Sequence, residues 1–264
     1  MLSGSLFFYR DYFNLVDHSN CTIHSCFGFE EKNLTGNDYL FITEPIANAP
    51  GYEEVYKAYR KGRFKGHIGC VSNGYGNIKA PLYALDHNFE IKKPLVNKRD
   101  KFCALLNRHD DGRTRTEMYN RLSKIGHIEC AGDLFRNINI NINIDSHNKK
   151  EKIEYLSQFK FVLCPENWDY NNIDGYITEK LMDVCLAGCI PIYAGWFDDI
   201  DARIFNSNRI IRFKSRSNST MDKAINEVRI MFEHYDTIKL LNPFMKYAQD
   251  ELDLMKLKFI KANL

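Results

Sequence analysis

The chain has 264 residues, 44% hydrophobic and 27% charged, enough apolar material for one large globular domain or two small ones. Its 36 basic and 34 acidic side chains leave a formal charge of +2. That balance excludes bulk attraction to nucleic acid or to an anionic membrane, so any anionic ligand must be held by a local cluster.

No apolar run approaches the roughly 18 residues of a membrane span. The opening MLSGSLFFYRDYFNLVDHSN is broken by Arg10 and Asp11 and lacks the form of a signal peptide, so the expected location is cytoplasmic. Three Asn-x-Ser/Thr sequons, at Asn20, Asn33 and Asn218, then carry little meaning. Eight cysteines occur without a CxxC pair, and six sit in apolar surroundings, where a thiol behaves as a small hydrophobe. His18, Cys21, His24 and Cys26 imitate a zinc set, but their spacing matches no familiar pattern.

The first third is irregular, with short buried strands expected at DYLFIT and HIGCV. A boundary falls near KKPLVNKRDK, which predicts domains at 1–97 and 98–264. Strands and helices then alternate. KFCALL is a strand, and RTRTEMYNRLSKIG a helix with Met118 and Leu122 on one face and Gly126 as its stop. HIECAG is the next strand, and NININI offers an edge strand. KKEKIEYLSQF is a helix, KFVLCPEN a strand, TEKLMDVCLAG a helix, CIPIYAG and RIIRF strands. STMDKAINEVRIMFEHY closes the series as a helix with a Ser/Thr cap. Such alternation predicts an α/β fold with a parallel sheet covered by helices on both faces.

Between KFVLCPEN and TEKLMDVCLAG the chain runs through the polar loop NWDYNNIDGYI, far more than a strand-to-helix turn requires. In a doubly wound sheet this is a carboxyl strand end, where ligands bind. Thr178 can cap the following helix, whose first turn offers unpaired N–H groups, and Lys180 adds a full positive charge. Together they suit an anion such as a diphosphate, or else form a capped surface helix with a solvated lysine. Glu166 either reaches the ligand or ties the loop to backbone N–H groups.

FKFVLCPENWDYNNIDGYITEKLMDVCLAGCIPIYAG closely resembles the signature of the α1,3/4-fucosyltransferases, glycosyltransferase family 10. That signature runs K-F-x-L-x-x-E-N, a variable loop, Y-[IV]-T-E-K, then I-P-[IV]-Y-x-G. RTEMYNRLSKIGHIECAG and HIGCVSNGYGNIKAPLYAL extend the resemblance upstream, across residues 40 to 215. It implies the GT-B fold, two Rossmann-like domains facing across a cleft, with the N-terminal one shortened here. It also implies an inverting α1,3-fucosyltransferase that moves L-fucose from GDP-fucose to a glycan hydroxyl, with no metal and no cofactor beyond the donor. The same fold with GDP-mannose or a GDP-heptose, or a non-catalytic sugar-nucleotide or glycan-binding module, are the alternatives. Trp168 to Asp174 would set the donor choice.

Position by position, the resemblance makes Arg115 and Lys180 the diphosphate contacts, with a solvated helix charge beside Arg113 as the other reading of Arg115. Glu179 becomes a carboxylate close to the donor sugar and ribose, and Asn167 and Tyr176 become donor contacts. The family's catalytic Glu follows an N-domain strand in F-x-T-G-E-N-x-x-P. Here LFITEPIANAP offers Glu44, although the Gly is missing and Pro45 replaces the Asn; Glu53 and Glu54 are the reserves.

Overall fold

The structure, a computed structural model, describes residues 22–25, 34, 36–42, 53–69, 78–110, 113–140, 149–167 and 175–261. The chain divides into two compact units. One comprises 1–90, 172–177 and 249–264, the other 91–171 and 178–248.

The first unit is built on four parallel strands in sequential order, β1 (Thr22–Ser25), β2 (Asp38–Ile42), β3 (Gly66–Gly69) and β4 (Ile78–Lys79). Parallel neighbours need a crossover, and helix α1 (Glu53–Arg60) lies in the one between β2 and β3. Its charges follow the helix dipole, acidic at Glu53 and Glu54 and basic at Lys57 and Arg60, while Val55 and Ala58 turn inward. In β2, Tyr39, Leu40 and Phe41 are all buried, the continuous apolar run of a parallel strand covered on both faces. Asp38, at its start, is also buried, and accepts from Gly36 N–H at 2.7 Å and pairs with His24 Nε2 at 2.9 Å. His24 is the only member of the cysteine–histidine cluster whose side chain is described, and its partner is this carboxylate. Helix α2 (Leu82–Asp86) buries Tyr83, Ala84 and Leu85.

The second unit is regular. Strands β5 (Lys101–Leu105), β6 (Ile128–Cys130), β7 (Phe159–Leu163), β8 (Ile190–Tyr193) and β9 (Ile211–Arg212) form a parallel sheet in the order β6-β5-β7-β8-β9. Its helices are α3 (Thr114–Leu122), α4 (Lys149–Leu156), α5 (Glu179–Leu186), α6 (Asp199–Ile204), α7 (Asn218–Glu233) and α8 (Tyr235–Ile238). Side chains alternate across a strand. Cys103, Leu105, Phe161, Leu163, Ile190 and Ile192 share one core cluster with Met118 and Leu122 of α3 and Met221, Ala224 and Val228 of α7. Helices α4 and α5 pack on one another and α5 on β8. The order reverses between β5 and β7, the arrangement known from doubly wound sheets. The chain closes with α9 (Ala248–Lys261), whose Leu252, Met255 and Phe259 are buried and whose Gln249 donates to Phe89 O at 2.8 Å within the first unit.

Three local expectations change. Helix α3 ends at Leu122, and Gly126 closes a turn beyond it by donating to Leu122 O at 3.2 Å. Helix α7 begins at Asn218, so Ser217 holds the cap position and makes no side-chain cap bond, while Thr220 lies inside the first turn and its Oγ1 accepts from Lys214 N–H at 3.0 Å. The start of NININI, through Ile140, forms no strand, and the rest of that stretch lies outside the described residues. Among the described residues no helix is long and apolar enough to cross a membrane, and all five described cysteines, 103, 130, 164, 185 and 189, are free and buried.

The carbonyl end of α5 is clamped by two guanidinium groups, the polarity the helix dipole favours. Arg99 donates to Ala187 O at 2.9 Å and Leu95 O at 2.6 Å, and Arg209 donates to Gly188 O at 2.7 Å. Gly188 has φ +71°, and a Cβ there would lie 2.2 Å from the Arg99 guanidinium. Gly188→Ala is therefore expected to destabilise the second unit by about 2 kcal/mol, from left-handed strain plus displacement of the clamp. Urea unfolding measures it, and an unchanged midpoint contradicts the clamp.

Candidate functional site

The carboxyl ends of β5 and β7, where the strand order reverses, form the crevice in which ligands of doubly wound sheets bind. A cavity of about 50 Å³ lies there, with Asn107, Lys152, Glu179 and Lys180 among its polar lining and Leu156 and Val184 among its apolar lining.

Glu166 organises this end of the sheet. Its N–H donates to Ala194 O at 2.8 Å, which prolongs the β7–β8 ladder. Its side chain is fully buried and accepts four hydrogen bonds. Oε1 takes Thr178 N–H at 2.8 Å and the Tyr193 hydroxyl at 3.2 Å; Oε2 takes the Thr178 hydroxyl at 2.7 Å and Lys180 Nζ at 3.1 Å. A buried carboxylate needs this degree of satisfaction to remain charged. Burial, with Glu166 beside it, pushes the Tyr193 phenol well above its usual range, so it stays a donor. Gly195 supplies the space, since a Cβ there would lie 2.3 Å from the Tyr193 hydroxyl and 2.7 Å from Glu166 Cγ. Of the two readings of Glu166, the structure shows the tie to backbone N–H.

Thr178 caps α5 as expected, accepting from Lys180 N–H at 3.5 Å. Lys180 is not a solvated lysine. Its Nζ also donates to Thr178 Oγ1 at 3.0 Å, and its side chain is 18% exposed. Burial alone would lower its pKa; the Glu166 and Glu179 carboxylates outweigh that and hold it raised. Glu179, next along α5, is pulled the other way. Burial raises its pKa, but Lys180 and then Lys152 overcome the effect and lower it. Lys152, on α4, lies 3.6 Å from Glu179 Oε1 and 2.6 Å from Oδ2 of the buried Asp183.

Arg115 is 4% exposed, which excludes the solvated-charge reading; the neighbouring Arg113 is the exposed one. Its guanidinium spans the strand ends. It donates to His109 O on the β5 side, and on the β7 side to Pro165 O at 3.5 Å and Asn167 Oδ1 at 2.6 Å. With its amide turned so that the oxygen faces the arginine, Asn107 accepts from Nε at 3.2 Å and from the terminal nitrogen at 3.3 Å. The first turn of α3 is itself capped from outside. Asp110 accepts from the N–H groups of Arg115 at 3.1 Å and Thr116 at 2.6 Å.

The structure thus brings Arg115 and Asn167 together, and Lys180 and Glu179 together, at one end of one sheet. Tyr176 is buried and belongs to the segment that clusters with the first unit. Glu44 and Trp168 to Asp174 lie outside the described residues, and Glu53 and Glu54 are exposed on α1. Sequence reading passes over Lys152, Asp110 and Tyr193, whose partners lie on other elements. Reading the sequence as free of an Asp-x-Asp metal motif is also incorrect, since Asp199 and Asp201 have that spacing. In the structure that pair belongs to the start of α6, where Asp201 Oδ2 accepts from Asp198 N–H at 2.9 Å in a capping box. No group of three or more His, Cys, Asp or Glu suited to a metal occurs among the described residues.

Residues 95–224 match the glycosyltransferase family 10 (fucosyltransferase) C-terminal domain. The chain is 28% identical over 174 residues to the alpha-(1,3)-fucosyltransferase FucT of Helicobacter pylori, covering 59% of this chain and 34% of that one. It is 32% identical over 154 residues to a putative fucosyltransferase of Acanthamoeba polyphaga mimivirus, covering 55% and 23%. It therefore spans about a third or less of these relatives. Among solved structures, an α1,3-fucosyltransferase with GDP-fucose aligns over 95% of this chain and 79% of its own, with TM-score 0.62 at 19% identity. A pneumococcal O-GlcNAc transferase with UDP and GlcNAc aligns over 97% and 59%, with TM-score 0.52 at 11% identity. This likeness shows the fold, the GT-B class expected from the sequence. Over residues 95–224 the sequence is that of a glycosyltransferase family 10 C-terminal domain by similarity.

Glu166→Gln keeps the shape of the hub but loses its charge and one acceptor, leaving Lys180 and one donor poorly matched. The expected cost is about 2–4 kcal/mol in urea unfolding, against about 1 kcal/mol for Tyr193→Phe. Equal, small effects of the two substitutions would contradict the central role of Glu166.

Proposed function

We propose that the chain is an inverting glycosyltransferase that moves L-fucose from GDP-fucose to a glycan hydroxyl. The observation that carries this is the grouping of Arg115, Asn167, Glu179 and Lys180 at the switch point of the second sheet, within the segment that matches the family. The Helicobacter pylori relative is an α1,3-fucosyltransferase, and one fold neighbour is a complex with GDP-fucose; both support the choice of donor.

Transfer from a nucleotide sugar passes through an oxocarbenium-like state while the leaving diphosphate gains negative charge. Fixed cations beside it bind that state more tightly than the ground state. Lys180 has two of its three N–H groups engaged with Glu166 and Thr178, which holds the ammonium in place with one donor left for a phosphate oxygen. Arg115 is held between the two strand ends, where a phosphate oxygen competes with neutral carbonyl acceptors for its N–H groups and offers the stronger, charge-assisted bond. Glu179, kept anionic by two ammonium groups, stabilises positive charge on the sugar or binds the ribose. The acceptor hydroxyl must lose a proton, and Glu44 is the base assigned to it. With two cations on the diphosphate, no metal is required.

Isothermal titration and a donor-hydrolysis assay test this. The protein is expected to bind GDP, to release it from GDP-fucose faster than from GDP-mannose, and to transfer sugar in excess EDTA. Lys180→Ala should weaken GDP binding by about 1.5–3 kcal/mol. Glu44→Gln should leave GDP affinity near the parent value and lower kcat by about two orders of magnitude. A GDP-binding protein that hydrolyses no GDP-sugar would be a binding module. Activity lost in EDTA and restored by one divalent ion would refute the metal-free reading.

A further inference from the structure

Lys152 has no part in the motif, yet its surroundings resemble those of a functional group. It sits on α4 and lines the same cavity as the β7 strand end. Its side chain is 11% exposed, and its ammonium bridges two carboxylates of α5. Glu179 and Asp183 are four residues apart, on one face of α5. Asp183 is the buried one, 1% exposed at the side chain and 2.6 Å from the ammonium; Glu179, 3.6 Å away, is 27% exposed and lines the cavity. A fully buried carboxylate needs a partner of this kind. The closer, buried contact anchors the ammonium, and the longer one acts on the residue at the cavity.

We propose that Lys152 is a positioning residue for Glu179: anchored by Asp183, its ammonium fixes the direction of the Glu179 carboxylate at the cavity and keeps it anionic. The mechanistic consequence rests on the reading of Glu179 as a donor-side carboxylate. Among the described residues, the charged and titratable groups that face Glu179 are Lys152 from α4, Lys180 and Asp183 on its own helix, and Cys164 from the end of β7, with Glu166 behind Lys180. Lys180 is tied to Glu166 and Thr178, whereas both described ion pairs of Lys152 are with α5 carboxylates.

Glu179 titrates below its ordinary value, so its anionic form is present above that lowered pKa and is lost as pH falls through it. Removing Lys152 should move the titration to higher pH. Removing the charge of Asp183 should move it lower, since a like charge disappears and the ammonium turns wholly to Glu179. The two variants therefore shift in opposite directions, the signs that an ammonium shared between Asp183 and Glu179 requires.

The test is a carboxyl-carbon NMR titration of the full chain labelled at glutamate, with Glu179 assigned by its loss in Glu179→Gln. Lys152→Met should raise the midpoint by about 0.5–1 pH unit, Lys152→Arg should leave it within about 0.3 unit of the parent, and Asp183→Asn should lower it. An unchanged midpoint in Lys152→Met, or a rise in Asp183→Asn, overturns the proposal. If Lys152→Met fails to fold, Asp183→Asn and Lys152→Arg still decide it. With GDP-fucose as the probe, the acid limb of kcat/KM should move with the NMR midpoint, and a limb that stays put while the midpoint moves overturns the mechanistic consequence. A parent protein that turns over no GDP-sugar, with the midpoints shifting as stated, refutes the functional reading and upholds the Lys152–Glu179 link.

Discussion

A buried carboxylate with four donors is the constraint around which the second unit's functional end is arranged. Glu166 stands where β7 ends and the polar loop begins, and it collects the first residue before α5, the lysine of that helix's first turn and a tyrosine from β8. Isolated, such a charge would be costly inside the protein; paired and fully hydrogen-bonded, it converts three separate elements into one unit. The direction of α5 as it leaves the sheet, and so the placement of Glu179 and Lys180, depends on it.

Electrostatically, every cation assigned to the donor already has a protein acceptor. Lys180 leans on Glu166, Arg115 on carbonyl and amide oxygens, and the amide groups of α3 on Asp110. These groups are held in position by bonds within the protein. Preorganised charge is effective in catalysis because nothing has to be reoriented when charge develops. The described acceptors of the Arg115 guanidinium are carbonyl and amide oxygens, whereas Lys180 and Lys152 face carboxylates, so the α5 side of the site carries alternating charge, Lys152, Glu179, Lys180, Glu166. The neighbouring carboxylates hold the Lys180 pKa raised, and the two ammonium groups hold that of Glu179 lowered.

The topology explains why this happens at one place. Where strand order reverses between β5 and β7, the segments leaving the two strands diverge and open a crevice that neither helix layer fills. Arg115 reaches it from the β5 side through α3, and Lys180 and Glu179 from the β7 side through α5. The opposite end of α5 is clamped by Arg99 and Arg209, so both ends of the helix that carries the motif are fixed by charge.

The alternation of apolar runs and amphipathic stretches from Lys101 onward was enough to place β5 through β8 and the helices between them, because each element's period is a local property of its own residues. The Thr178 cap was legible for the same reason, since a cap and the helix it begins are adjacent in the chain. The roles of Arg115 and Lys180 came from resemblance to a family; spacing alone left both open to a solvated reading. Only the tertiary structure decided that Arg115 is buried between two strand ends, that Glu166 is a hub, and that Lys152 bridges Glu179 and Asp183. Likewise, the Thr220 hydroxyl was read as part of a cap but serves Lys214, six residues back. Periodicity records which face of an element is apolar, but a buried charge is specified by partners from other elements. Those partners are separated by tens of residues in the chain, and they meet only when the sheet assembles.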